Sequence, residues 1–190
     1  MSRLIPKTRA ELNDLQRAEF DSIARFRQPG TDGQFGGPFD VWLRSPEFAK
    51  RMVSFGTFIW NRTTLPRGLI ELAIIVTARY WQSNVEWVAH ARLALDNGIA
   101  QWVVDDVFAH RRPTNASSDE LVVYDVAQAL HETHELPRPV YDRAIAAFGE
   151  QGLVEIIATI GYYTTVSMTL NAFVVPTAAG QATPFPKRGT

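Results

Sequence analysis

The sequence contains no cysteine. That absence excludes disulfides, thiolate nucleophiles, dithiol redox cycles and cysteine-ligated metal centres. Charge of one sign is missing too: 19 Lys and Arg face 20 Asp and Glu, for a formal net charge of −1, and no dense basic run occurs. Such a balance supplies no electrostatic footprint for nucleic acid. Long hydrophobic runs are also lacking. The most apolar stretches meet Glu71, Arg79, Glu86 or Glu155 before reaching the length of a membrane span, so no membrane partner is expected. The beginning, MSRLIPKTRAELND, turns charged too early for a secretory signal, and the expected compartment is the cytoplasm. Finally, no stretch alternates as a half-buried strand would, and no fixed-period repeat is present.

Apolar residues at helical spacing fill the chain instead, and 190 residues fit a single all-α domain. A first helix is predicted from Thr8, with Leu12, Leu15 and Phe20 on one stripe. The Gly/Pro-rich QPGTDGQFGGP then reads as a loop, followed by a short helix from Pro38. Pro46 suits the first turn of a helix whose inward face is Phe48, Met52, Phe55 and Ile59. Pro66 opens another helix, and Asn97-Gly98 closes the one after it. A short helix around QWVVDDVFA follows; Ser117 and Glu120 form a capping-box pattern, and Pro137 and Pro139 start a further helix. Gly152 is expected to separate that helix from the last long one. The apolar load of Phe48, Phe55, Phe58, Ile59 and Trp60 exceeds one inward stripe, which predicts a homo-oligomer.

Three polar residues stand out in apolar company: Glu71 inside LPRGLIELAIIVTARYW, and Glu86 and His90 inside WQSNVEWVAH. Residues four apart share a helix face, so Glu86 and His90 meet. Burying an acid without a partner is costly, so these groups form either a satisfied core network or a reaction site. Glu71 can be a strut paired with an arginine such as Arg79 or Arg92, or part of a site. His90 can be a packed core histidine or an acid–base group, and Glu86 can face solvent, another subunit or a cavity. Ser83 reads as the N-cap of the helix carrying His90. Trp81 and Trp87 are packing residues or a wall for a flat ring; Tyr162 and Asn171, on the last helix, line a pocket or bond within the core. His110, His131 and His134 look like surface residues, and a single Glu-x-x-x-His lacks the paired Glu-x-x-His of bundle di-metal sites, so no metal is expected.

The order of these motifs carries a resemblance. An apolar helix with an internal Glu, then E-W-x-x-H, then A-L-x-N-G, resembles the carboxymuconolactone decarboxylase family. GGPFDVWLRSPEFA and FGEQGLVEIIATIGYYTTVSMTLNAFVVP are similar to its entry segment and closing helix. The resemblance runs from about Phe35 to Pro176. It divides the chain into an N-terminal helix and loop (1–34), a decarboxylase-like helical domain (35–176) and a tail (177–190), flexible or laid over a neighbouring subunit. It implies an all-helical fold of the alkyl hydroperoxidase D type that assembles as trimers or hexamers. The hydroperoxidase branch carries a C-x-x-C pair whose places are held here by Ser83 and Glu86, so thiol peroxidase chemistry is excluded.

What the resemblance implies for chemistry is a cofactor-independent carboxy-lyase of aromatic-compound catabolism, acting on a small anionic lactone such as 4-carboxymuconolactone. The unsaturated lactone is its own electron sink, so no cofactor is needed. The enzyme must hold a carboxylate in a dry place, stabilise a dienolate oxygen and deliver one proton to carbon. By resemblance His90, Glu71 and Glu86 are the catalytic candidates, with Ser83, Trp87, Tyr162 and Asn171 as substrate-binding candidates. An isomerase or hydrolase on a related acid, or a non-catalytic oligomeric member, remains an alternative reading. Which arginine would hold a substrate carboxylate is not legible.

Overall fold

The computed structural model describes residues 2–186 and is all-helical, with no strand among them. A 3-10 turn (Arg9–Glu11) precedes α1 (Asp14–Ala24), α2 (Phe39–Trp42), α3 (Pro46–Asn61), α4 (Arg67–Trp81), α5 (Asn84–Asp96), α6 (Gln101–Phe108), α7 (Ser118–Glu132) and α8 (Arg138–Ala172). The first helix starts later than its apolar pattern suggests because Asn13 accepts from the Gln16 amide and forms a capping box. This register buries Leu12, Phe20 and Ile23 and leaves Leu15 exposed, against the expected stripe. The predicted Ser117–Glu120 capping box does form at the start of α7.

The centre of the fold is α4, in which every residue from Gly68 to Ala78 is buried. A helix apolar all round must be enclosed on all sides; here α5, α7 and α8 enclose it. The inward face of α3 is Ala49, Met52, Gly56 and Ile59, while Phe48 and Phe55 stay more than one-third exposed. Close packing sets this face: a Cβ on Gly56 would lie 2.5 Å from the Tyr162 hydroxyl, so the glycine takes the closest approach to α8, while the Phe55 ring meets Tyr162 edge-on at 5.3 Å and stays partly exposed. The break in α8 falls at Gly149 (φ 67°), not at Gly152, which is helical and packs on Phe148 and Leu65. Glu155, one of the interrupting acids, is buried and satisfied. Its Oε2 accepts from the Thr64 amide (2.7 Å) and hydroxyl (2.8 Å), tying the α3–α4 loop to α8.

By length and composition α8 is long and apolar enough to cross a membrane, despite Glu155. One face of it, however, is built into the core through Leu153, Ile156, Ile160, Tyr163, Val166 and Leu170. His131, expected at the surface, is buried instead: its Nε2 lies 3.1 Å from the Thr77 hydroxyl and its ring stacks on Tyr80 at 4.4 Å. Burial lowers its pKa to about 4, so it is neutral at physiological pH.

The two chain ends do not hang free where they are described. The Arg3 amide donates to the Phe173 carbonyl (2.8 Å). In the tail, the Asn84 side chain clasps the Phe185 backbone, accepting from its N–H (2.8 Å) and donating to its carbonyl (3.2 Å). The Phe185 ring is buried against Trp87 and Phe108. Phe185 of the tail is thus docked on its own chain, and residues 187–190 fall outside the described residues.

Candidate active site

Glu71 sits at the second turn of α4 with no exposure at all. Such burial requires partners, and both of its oxygens have one. Oε1 accepts from Arg67 Nη2, one turn earlier on the same helix, and Oε2 lies 2.6 Å from His90 Nδ1 on α5. The arginine is thus Arg67 rather than Arg79 or Arg92. Arg79 donates to the Phe108 carbonyl and Arg92 pairs with Asp96. Arg67 is held from its other side by the Trp60 indole, with Cζ 3.7 Å from the ring centroid.

His90 continues the chain of charges. Its Nε2 lies 3.3 Å from Glu86 Oε2, the pair one turn apart on α5 that the sequence spacing brings together. The imidazole therefore has a carboxylate on each nitrogen. Burial alone would lower its pKa, but the hydrogen bonds to Glu71 and Glu86 and their charges outweigh burial and raise it to about 9. At neutral pH the imidazole is therefore charged, with one carboxyl group on each of its nitrogens. Because Glu71 and Glu86 occupy opposite nitrogens, the imidazole separates them instead of letting the three groups converge on one point. Among the described residues no cluster of three His, Asp or Glu side chains could hold a metal ion.

One end of this array reaches a cavity of about 1150 Å³. Glu86, Trp60, Gly56, Tyr162 and Tyr163 line it, as do the loop from Gln34 to Val41 and the tail from Val175 to Ala179. His90 lies behind this lining: its ring is edge-on to Tyr163 at 4.9 Å. The Tyr163 hydroxyl accepts from Trp60 Nε1 at 3.2 Å, which leaves its own proton free to be donated. Burial, reinforced by the Glu86 charge, raises the pKa of both Tyr162 and Tyr163, so both remain neutral phenols.

The other sequence-derived candidates lie elsewhere. Ser83 is fully buried at the N-cap position of α5, but its hydroxyl makes no cap bond and has no partner among the described residues. Trp87 faces Phe108 and Phe185, under the tail, not the cavity. Asn171 donates to the Trp81 carbonyl (2.7 Å) and secures the end of α4. Arg67, Trp60 and Tyr163 belong to the array or the cavity wall and were not anticipated. The spacing of four between Arg67 and Glu71 was a visible signal for the first; nothing local marked the other two.

Residues 46–129, which span α3 to α7 and hold all four members of the charge array, match the carboxymuconolactone decarboxylase family. No curated protein sequence matches the chain. Among solved structures, an alkylhydroperoxidase AhpD core, a peroxidase-related protein from Ralstonia eutropha JMP134, superposes with a TM-score of 0.74 at 15% identity, covering 94% of this chain and 93% of that one. A debrominase, Bmp8, in complex with 2,3,4-tribromopyrrole gives 0.72 at 14% identity, covering 97% and 96%. At such identities the likeness establishes the AhpD-like fold over nearly the whole chain, beyond the segment that the family match covers.

Proposed function

We propose that this carboxymuconolactone decarboxylase family member is a cofactor-independent carboxy-lyase working by acid–base chemistry, with Glu86 as the group that meets the substrate. The observation that carries this reading is the charge array itself, in which a doubly held imidazolium backs Glu86, one of three acids, with Asp32 and Asp40, at the wall of the cavity. Loss of CO₂ from an unsaturated lactone acid breaks the C–CO₂⁻ bond and leaves its electron pair in a dienolate. The neutral hydroxyls of Tyr162 and Tyr163 supply hydrogen-bond donors for the dienolate oxygen. His90 Nε2 gives its proton to Glu86, and the neutral acid so formed delivers one proton to carbon and returns to the carboxylate; His90 is then recharged from solvent, so each turnover consumes one proton. Arg67 and Glu71 keep His90 oriented and charged between turnovers. A positioned acid of this kind contributes about 10²–10⁴-fold in rate. The debrominase of like fold holds a flat pyrrole, which supports a ring-shaped ligand here.

The test is release of CO₂ and loss of lactone absorbance with 4-carboxymuconolactone, comparing the parent protein with Glu86→Gln and His90→Ala. Turnover abolished in both variants while the fold persists is the expected result. Absorbance change without CO₂ would replace the lyase with an isomerase or hydrolase using the same groups. No turnover by folded protein would remove this substrate.

The same reading includes self-association and a cytoplasmic setting. On α8, Val154, Ile157 and Met168 form an exposed apolar strip, and Phe55 and Trp60 of α3 are also exposed. A trimer or hexamer would cover such a strip. Light scattering on the purified chain tests it; a monomer at micromolar concentration would end this part of the proposal.

A further inference from the structure

The cavity is chemically lopsided. Among the described residues lining it, Arg27 is the only cation, and it comes from the segment following α1, outside the part that matches the family. Its placement is fixed by several contacts. Nε donates to the Phe35 carbonyl (3.0 Å), and the guanidinium lies over the Phe39 ring with Cζ 5.0 Å from the centroid. The loop that provides both contacts is itself pinned. Asp40 accepts from the Phe35 amide (3.1 Å) and the Gly36 amide (2.7 Å), while Gly36 and Gly37 take left-handed φ values of 70° and 61°. Asp40 thus has its oxygens engaged by backbone N–H groups, Asp32 accepts from the Gln34 amide (3.1 Å), and among the described residues neither acid forms a salt bridge with Arg27. With Nε used and both Nη atoms free of any protein carboxylate, the fork that remains suits a ligand carboxylate.

From Arg27 a series of rings leads toward the Glu86 end. Phe39 meets Trp42 at 5.7 Å, Trp42 meets Tyr162 at 6.2 Å, and Tyr162 meets Tyr163 at 5.1 Å. Resting on the proposed acid–base role of Glu86, we infer that Arg27 is the specificity-determining anion anchor, holding one carboxylate of an organic acid whose apolar body lies along Phe39, Tyr162 and Tyr163, the rings of this series that line the cavity, and whose reacting carbon is at Glu86. A carboxylate at Arg27 is stabilised and stays. The one to be lost must lie at the Glu86 end, where a like charge and apolar walls favour its departure as CO₂. A cavity of about 1150 Å³ also accommodates an acid larger than a bare lactone.

Binding of 4-phenylbutyrate and of its uncharged amide, followed by tryptophan fluorescence, tests the anchor without requiring turnover. The protein is expected to prefer the acid by about tenfold or more, as a charge-assisted fork should. Arg27→Gln should erase that preference, Arg27→Lys should retain part of it, and Glu86→Gln should leave it in place. An unchanged preference in Arg27→Gln would overturn the inference, as would equal binding, or no binding, of both probes by the parent protein. If the preference behaves as expected but the lactone is not decarboxylated, the anchor stands and the reaction assigned to Glu86 falls.

Discussion

Replacing Glu71 by Gln keeps the shape of the buried side chain and removes its charge, so it isolates what holds His90 protonated. In the parent protein His90 rises from an ordinary 6.5 to about 9 although burial opposes the charge. That net shift corresponds to about 3 kcal/mol in favour of the imidazolium, divided between two carboxylates. Glu71 is the closer, 2.6 Å from Nδ1 against 3.3 Å for Glu86 at Nε2. Glu71→Gln should therefore lower the His90 midpoint by at least about one unit, with burial pulling it further down. The linkage sign follows: a histidine with a raised folded pKa contributes stability that is complete below about 6.5 and is lost as pH rises through about 9. The variant should thus lose most stability at pH 7 and little above pH 9. Breaking one partner out of a buried array costs about 3–5 kcal/mol, several degrees in Tm for a chain of this size. Histidine Cε1 chemical shifts against pH, with the His90 signal assigned by its loss in His90→Gln, measure the midpoint directly. A midpoint still near 9 in a folded Glu71→Gln protein would refute the assignment of Glu71 as the group that charges His90.

Gly56→Ala places a methyl 2.5 Å from the Tyr162 hydroxyl, so α3 and α8 must separate or the tyrosine must move; a loss of about 1–3 kcal/mol in thermal melts is expected. Acid should act through His131, whose depressed pKa means that the unfolded chain takes up a proton the folded chain refuses. Stability should therefore fall as pH drops from about 6.5 to about 4, by up to about 3 kcal/mol. His131→Phe, which can retain the stack on Tyr80, should show a flatter urea-midpoint profile over that range, and equal slopes would rule His131 out as the cause.

How legible all this was depends on whether the deciding force was local. Helix starts governed by a cap or a proline are local, and Ser117, Pro46 and Pro66 mark theirs correctly. The meeting of Glu86 and His90 is a property of one helix and was readable from spacing. The junction of Glu71 with His90 joins two helices, α4 and α5, and the likeness to a family placed them together before geometry did. Where tertiary packing decides, the pattern misled. Phe48 and Phe55 look inward by hydrophobicity, yet Gly56 takes the closest approach to Tyr162 and both phenylalanines stay more than one-third exposed, Phe55 edge-on to the tyrosine ring. His131 looked superficial by composition, yet Thr77 and Tyr80 of the central helix receive it. Arg27, in a glycine-rich loop far from the motifs, had no sequence signal as a cavity residue. Its position depends on Asp40 folding the loop back on itself.

The two positions that would carry the redox pair in the hydroperoxidase branch make the final point. Ser83 and Glu86 are three residues apart on one helix, yet only Glu86 reaches the cavity; Ser83 is sealed in the interior with an unpartnered hydroxyl. A disulfide cycle needs both positions to approach each other and an incoming oxidant. Acid–base chemistry needs one group at the ligand and a charged reservoir behind it. In this chain His90, which lies behind Glu86, is already bonded to Glu71 and braced through Arg67 on Trp60. Replacing sulfur with a carboxylate at position 86 therefore does more than delete a thiol reaction. On the proposed acid–base reading, it connects the cavity to His90, which the carboxyl groups on both nitrogens keep charged at neutral pH.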